Sequence, residues 1–397
     1  MLGGVRIDVP RRVAVTGVGV VAPGAAGPAE LWAALLAPVA PQRVRRVEDT
    51  AADAADFVGY RGARRLDRFA AFAVHAAGQA LESSKLAGAV DPDRVAVVVG
   101  TGMGGLVAHA AAVRMMSERG RVPPLSVPKT MPNAAASAVS MAFGLRGPAE
   151  AIATACAAGT HSIGYAARLV AAGIADAALA GGADGCLTDA ELAGFEVIGA
   201  LSPSGVSRPF DVDRDGFCAA EGAAVLVLEP LEAAWRRGAP VLLEVLGTGS
   251  AADAHHITAP DPAASGAIRS VRAALSDASL DPSAITHVNA HGTSTPLNDA
   301  GEALALRTVF GTVPPVTSIK GATGHPMGAA GAVEAVAVAL TVAHRTLPPT
   351  AGTVQLDELG LDVVLTARPW TPGPVLSTSF GFGGCNGALV FAPEPQR

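Results

Sequence analysis

Short runs of Val and Ala without polar alternation recur along this chain, and they restrict its fold more than any other feature. Val13–Val18, Val95–Gly100, Ala177–Gly182, Ala223–Glu229, Val241–Gly247, Ile285–Ala290, Val363–Thr366 and Leu389–Ala392 are of this kind. A strand with one wet face alternates polar with apolar residues; a strand apolar throughout has to be covered on both faces. Between these runs lie stretches with helical spacing: Ala29–Leu36, Asp67–Ser84, Cys156–Ala172, Ala263–Ser276, Asp299–Phe310 and Ala329–His344. The alternation predicts an α/β fold in which helices are layered on mixed or parallel sheets. With 397 residues, 50% hydrophobic and 16% charged, the chain has ample material for such layers and is not a disordered one. No hydrophilic linker divides it, and Pro123–Pro132 and Pro348–Thr350 read as ordered loops. Loop composition suggests a division near Gly247, into residues 1–247 and 248–397, both ending in β-rich segments, with an internal duplication as a suggestion.

Charge and cysteine usage narrow the function classes. Lys and Arg number 29 against 35 Asp and Glu, a net −6, which sets general nucleic-acid binding aside but allows a local basic patch for an acidic partner protein. Cys156, Cys186, Cys218 and Cys385 form no C-x-x-C pair, so neither a zinc ribbon nor a dithiol centre is indicated, and a cytoplasmic setting is expected. No apolar run reaches the ~18 residues of a membrane span without a Gly or a charge, and the first residues lack the pattern of a secretory signal.

Four segments carry chemistry. In I-A-T-A-C-A-A-G-T-H-S-I-G-Y-A-A-R-L-V, Cys156 stands where an extended segment turns into a helix, since Ile163, Ala166, Ala167 and Val170 follow at helical spacing. Unpaired N–H groups at a helix N-terminus favour the reactive thiolate, and small neighbours admit a substrate; the alternative is a buried structural cysteine. In I-T-H-V-N-A-H-G-T-S-T-P-L-N-D, His291 ends a strand, where it is placed to face a pocket, and Thr293 and Thr295 can bond an extended ligand; a loop histidine bonded to backbone is the other reading. In S-I-K-G-A-T-G-H-P-M-G-A-A-G-A-V-E-A, Lys320 and His325 lie in a Gly-rich loop, and Glu334, inside an apolar helix, needs a partner for which Lys320 is the candidate. The spacing is not that of a phosphate loop, and no second motif supports a Schiff-base lysine. In S-T-S-F-G-F-G-G-C-N-G, alternating Phe and Gly suit bulky gates on a mobile backbone, or an ordinary turn between strands. One cysteine and two histidines in such settings suit acyl transfer.

These segments, with V-A-V-T-G-V-G-V-V-A-P-G, G-T-G-M-G-G-L, S-R-P-F-D-V-D-R-D-G-F and A-E-G-A-A-V-L-V-L-E, make essentially the whole chain resemble the β-ketoacyl-[acyl carrier protein] synthases, nearest their type II elongating branch and the type II polyketide ketosynthases. The resemblance implies a thiolase fold, layered αβαβα, with two pseudo-duplicated halves, the first carrying the nucleophile and the second both histidines. It implies that Cys156 takes the acyl chain as a thioester from the phosphopantetheine of acyl carrier protein. His291 and His325 would then assist decarboxylation of malonyl-carrier protein, and the carbanion would attack acyl-Cys156. Amides of Cys156 and Phe382 would form the oxyanion hole, and Lys320 with Glu334 would order the site. Thr293, Thr295 and Thr258 would bind pantetheine or substrate, with Phe382 as the gate and Phe380 and Met103 lining the pocket. The family needs no metal and no organic cofactor. Arg61, Arg64, Arg65 and Arg68, near a helix start, would dock the carrier protein, the alternative being a solvated face with local salt bridges. The Met131–Asn133 stretch falls where the family crosses its dimer interface, with a second copy or with a chain-length factor. Two departures stand out: Cys385 where the family commonly has Thr, and Met103 in the acyl pocket. The competing functions are a non-catalytic chain-length partner, which has no need of Cys156, and a coenzyme A-dependent thiolase-like enzyme, which would use a second cysteine.

Overall fold

The structure, a computed structural model, describes residues 11–48 and 54–395; the reading of the first residues as lacking a signal falls outside them. The first half contributes strands β1 (Val13–Val21), β2 (Val44–Arg45), β3 (Val95–Gly100), β4 (Ala149–Glu150), β5 (Ala177–Asp184), β6 (Ala219–Ala220) and β7 (Gly222–Pro230). The second contributes β8 (Leu243–Ala252), β9 (His287–Asn289), β10 (Val316–Thr317), β11 (Thr346–Leu347), β12 (Arg368–Pro369), β13 (Val375–Gly381) and β14 (Cys385–Ala392). β2 pairs with β6 and β11 with β12; the other ten form one continuous mixed sheet, β10-β9-β13-β14-β8-β1-β7-β5-β3-β4.

Read outward from the β1–β8 junction, the two arms of that sheet are the same. In one, β1 and β7 are antiparallel, β7 and β5 antiparallel, and β5, β3 and β4 parallel. In the other, β8 and β14 are antiparallel, β14 and β13 antiparallel, and β13, β9 and β10 parallel. The pseudo-duplication is therefore present in strand order and direction. Gly247 lies inside β8, so the topological break falls a few residues earlier than loop composition suggested.

The helices are α1 (Pro28–Leu36), α2 (Ala55–Ala63), α3 (Arg68–Ser84), α4 (Leu106–Arg119), α5 (Ser126–Thr130), α6 (Ala134–Phe143), α7 (Ala158–Ala171), α8 (Asp189–Val197), α9 (Leu231–Arg236), α10 (Ser265–Asp277), α11 (Pro296–Phe310), α12 (Lys320–Thr323) and α13 (Ala330–His344). α7 and α13 lie between the arms. Ile163, Ala166 and Val170 of the first and Ala332, Val336 and Ala339 of the second join one core with Val98, Ala178 and Leu226 and with Val375, Leu389 and Phe391. The other strand faces are covered from outside. α3 and α6 pack on Val97, Leu179 and Val225, while α10 and α11 pack on Val288, Leu376 and Val390. Hence β3 turns Val97 and Val99 one way and Ala96 and Val98 the other, all buried, as the unalternating runs required. Each such side chain contributes about 1.5–3 kcal/mol when buried, and Ala on the central helices lets them lie close to both arms.

Among the described residues, one helical stretch, Met327–His344, is long and apolar enough to cross a membrane, but it is 78% buried here as the central layer. The Pro123–Pro132 loop contains the short helix α5. The expected strand Val363–Thr366 is not formed: Val363 makes only an isolated bridge to Val316, and Leu365 and Thr366 face solvent, so there is no second face to cover. Val113, Met116, Val127, Met131 and Met141 are exposed around α4, α5 and α6, near the unpaired edge of β4.

Candidate active site

The turn that carries Cys156 comes first. Ala155 has a left-handed backbone (φ 49°), and a single tight turn, Ala155–Ala157, runs into α7. Held there between the two arms of the sheet, the turn presents Cys156 to a cavity of about 380 Å³. Positive φ at a non-glycine residue costs of order 1–3 kcal/mol, which the surrounding core has to offset. The end of β13 closes on this turn: a Cβ on Gly381 would lie 2.8 Å from the carbonyl of Thr154 and 3.2 Å from the amide of Cys156, so only glycine fits. That approach brings the N–H of Phe382, together with the N–H of Cys156 itself, to the sulfur.

The imidazoles arrive from the other arm. His291 follows β9, and His325 follows α12 and is bridged to Ala219 of β6. His325 Nε2 lies 3.1 Å from Cys156 Sγ, and the two rings are 5.4 Å apart and nearly perpendicular. Burial pushes both histidines well below their usual range, and the nearby Lys320 charge pushes them the same way. Both are therefore neutral at pH 7. Burial also pushes the Cys156 thiol up to about 12, against the pull of Lys320 and the two amides. This corrects the expectation that a helix tip would make the resting group a thiolate: desolvation outweighs the helix N-terminus. The thiol needs a base, and His325 Nε2 is in place to act as one.

Lys320 and Glu334 meet as a buried ion pair, as inferred from the charge inside an apolar helix. Lys320 Nζ also donates to the carbonyl oxygen of His291 at 2.6 Å and to its Nδ1 at 3.2 Å. With Nδ1 accepting, the proton of His291 sits on Nε2. His325 Nδ1, by contrast, has no hydrogen-bond partner among the described residues.

Met103, Thr258, Thr293, Thr295, Phe380 and Phe382 all line the same cavity as Cys156, His291 and His325. The hydroxyls of Thr293 and Thr295 are 2.9 Å apart and hydrogen-bond to each other. Phe380 packs edge-on to His291 at 5.9 Å. Cys385 lines a separate cavity with His161 and Thr154. Arg61, Arg64 and Arg65 are exposed beside one another at the end of α2, and Lys129 joins them by donating to the carbonyl of Arg64 at 3.1 Å. Arg68 does not belong to this patch. It is turned inward onto Glu221 at 2.5 Å and 2.9 Å and over the ring of Phe72, so it anchors α3 and offers no free charge.

Other residues were not singled out in the sequence. Glu302 of α11 accepts from the amides of His291 (2.8 Å) and Gly292 (2.7 Å) and from Thr378 Oγ1 (2.7 Å). Burial holds its carboxyl up, to about 7. Three residues earlier on the same helix, Asp299 accepts from the amides of Phe210 and Ser294. Asp184, at the end of β5, accepts from the amides of Gly102 (2.8 Å) and Gly328 (2.9 Å), tying the Cys156 arm to the His325 loop. Phe217 packs edge-on against His325 at 5.1 Å, and Phe195 links Phe217 to Phe382. The signal for the carboxylates was their place in otherwise apolar segments; the aromatic residues gave none.

Cys156, His291 and His325 present ligand atoms within 4.8 Å of one another, near enough to hold a metal ion by distance alone. A lysine ammonium in contact with one ring opposes a second cation there. The family descriptions "Beta-ketoacyl synthase, N-terminal domain" and "Beta-ketoacyl synthase, C-terminal domain" match residues 40–234 and 242–353. The chain belongs to the β-ketoacyl synthase family. It is 42% identical over 332 residues to 3-oxoacyl-[acyl-carrier-protein] synthase 2 of Vibrio cholerae, covering 80% of each chain. Among solved structures, the ishigamide ketosynthase/chain length factor shares 32% identity at a TM-score of 0.90, with 97% of this chain and 100% of that one covered. A type II polyketide ketosynthase in complex with its acyl-carrier protein shares 28% identity at a TM-score of 0.88, with the same coverage. In this β-ketoacyl synthase Cys156 and the imidazoles of His291 and His325 line one cavity, the sulfur coming from the first half of the chain and both rings from the second.

Proposed function

We infer that this β-ketoacyl synthase joins an acyl chain held on Cys156 to a malonyl unit on acyl carrier protein, with loss of CO2, in fatty acid or type II polyketide biosynthesis. The observation that carries this is the contact of His325 Nε2 with Cys156 Sγ at 3.1 Å, with a second neutral imidazole facing the same cavity. In acyl transfer, His325 takes the thiol proton, the sulfur attacks the acyl thioester carbonyl, and the carbon–sulfur bond to pantetheine breaks. The departing thiol receives the proton. Malonyl-carrier protein then enters. The Nε2–H groups of His291 and His325 donate to its thioester carbonyl as the bond to the carboxylate breaks, CO2 leaves and an enolate forms. His325 Nε2, the atom that faces the sulfur, accepts a proton in the first step and presents one in the second. The enolate carbon attacks acyl-Cys156. The tetrahedral oxyanion is held by the amides of Phe382 and Cys156, each worth about 3 kcal/mol, and the sulfur is expelled as a thiolate that regains its thiol form with one proton from solvent, the proton the reaction consumes overall.

A non-catalytic partner role is disfavoured because the whole Cys-His-His set is assembled, and a thiolase-like route because Cys156 is the cysteine that lines this cavity. Met103 lies beside Phe382 and Phe195 in an apolar cluster, where it bounds the acyl chain. The substrates bring their own phosphopantetheine, and no further cofactor is called on. A second subunit of the same fold, a copy or a chain-length factor, covers the apolar face of α4, α5 and α6. The free state of the cysteines supports a cytoplasmic setting. Incubation with a short acyl-carrier protein should add the acyl mass to the tryptic peptide containing Cys156; acylation elsewhere, or nowhere, would end this reading.

The exposed Arg61, Arg64 and Arg65, with the half-buried Lys129 beside them, supply the charge for an acidic carrier protein. Reversing Arg64 and Arg65 to Glu should raise KM for acyl-carrier substrates by roughly tenfold at low salt and less at high salt, leaving small thioesters within about twofold. Equal loss on both substrate types would assign these arginines to the fold.

A further inference from the structure

We propose that Arg45 is a positioning residue for the reaction, holding the Lys320–His325 segment so that His325 Nε2 meets the Cys156 sulfur. This rests on the acyl-transfer role of His325 given above. Arg45 is 4% exposed, and among the described residues it pairs with no carboxylate. A buried guanidinium without a counter-ion is costly and needs acceptors of another kind. Here they are the carbonyl oxygens of Gly321, at 3.0 Å, and Ala322, both in α12 between Lys320 and His325. A third partner is the thiol of Cys218.

The surrounding backbone makes these contacts specific to the histidine. β2 pairs in parallel with β6, setting Arg45 opposite Ala220. β6 in turn holds the histidine: the amide of Ala220 donates to the carbonyl of His325 at 3.0 Å, and the amide of His325 donates to the carbonyl of Cys218 at 2.8 Å. Between α12 and His325 the chain turns at Gly324, in left-handed conformation (φ 74°). A Cβ there would meet Ala220 Cβ at 2.9 Å and Arg45 Cδ at 3.3 Å, so the arginine stem runs across the turn that aims His325. Arg45 and the strand beside it thus hold that turn from one side, while the Gly324 amide bonds back to the Lys320 carbonyl at 2.9 Å. Arg45 touches no reacting atom, and its effect reaches the sulfur through His325.

The test compares Arg45→Met, which keeps the length and removes the donors, with Arg45→Lys, which keeps the charge but can serve fewer carbonyls. Two readouts are used on the full-length protein: steady-state condensation, and the pH profile of Cys156 alkylation by iodoacetamide from pH 6 to 10. Arg45→Met should lower kcat by roughly 30-fold with KM for malonyl-carrier protein within about threefold, and should shift the alkylation profile alkaline by about one pH unit, because the thiol loses its base. Arg45→Lys should recover part of both. Acylation of wild-type Cys156 is measured alongside, so failure of the acyl-transfer reading shows in the parent enzyme and failure of this proposal only in the variants. An unshifted alkylation profile in folded Arg45→Met, or in Arg45→Lys should the methionine variant not fold, overturns the proposal; so does loss of folding in both, which would make the residue one of stability alone.

Discussion

Cys156→Ala should abolish condensation, by at least about 10⁴-fold, while the variant still releases CO2 from malonyl-carrier protein. The two activities use different atoms of one cavity. Condensation needs the sulfur as the carrier of the acyl group, and no other cysteine lines the cavity to replace it. Decarboxylation needs the two Nε2–H groups, which come from the other arm of the sheet and are held by Lys320, Glu302 and β6 without help from the sulfur. Removing one sulfur from a half-buried site leaves those supports untouched. Product analysis by mass spectrometry and a CO2-release assay on one preparation separate the outcomes. Condensation at the parent rate would refute the nucleophile assignment; loss of both activities in a folded variant would mean that the sulfur, and not the imidazoles alone, stabilises the enolate.

Lys320→Met should damage stability and catalysis together, and a second change should part them. The single variant leaves Glu334 buried without its cation, at a cost of about 3–5 kcal/mol. Burial already raises the Glu334 carboxyl and Lys320 opposes that rise, so without the lysine the folded pKa climbs further. A carboxyl raised above its unfolded value penalises folding at high pH and not below the unfolded pKa, so the stability deficit should shrink as pH falls toward the ordinary carboxylate range. Adding Glu334→Leu removes the stranded charge and should return most of the thermal midpoint. Activity should not return, because His291 Nδ1 still lacks its donor and Nε2 is no longer the fixed site of the proton. Recovery of activity in the double variant would show that the ion pair serves packing alone.

The parts of this molecule that were legible in advance are those written in local pattern. Both-face burial of β1, β3, β5 and β7 follows from their unbroken Val and Ala, and the Lys320–Glu334 pair follows from a charge no apolar helix tolerates alone. Recognition of a family then supplied what spacing could not, the meeting of Cys156 with His291 and His325. What escaped depends on three-dimensional neighbours. The protonation of Cys156 turned on how deeply the turn is buried, which outweighs the helix tip seen in sequence. Arg68 reads as a docking charge in sequence, but Glu221, 153 residues away, lies against it. Glu302 and Asp184 carry backbone amides from other segments, and neither they nor Phe217 stands in a run that names its partner.

The mirrored arms, one bringing the sulfur and the other the rings, have a consequence for the life of the chain before it is finished. During synthesis the thiol-bearing portion emerges while His291 and His325 are still unmade. The base that contacts the sulfur therefore reaches it only once residues from both portions have docked.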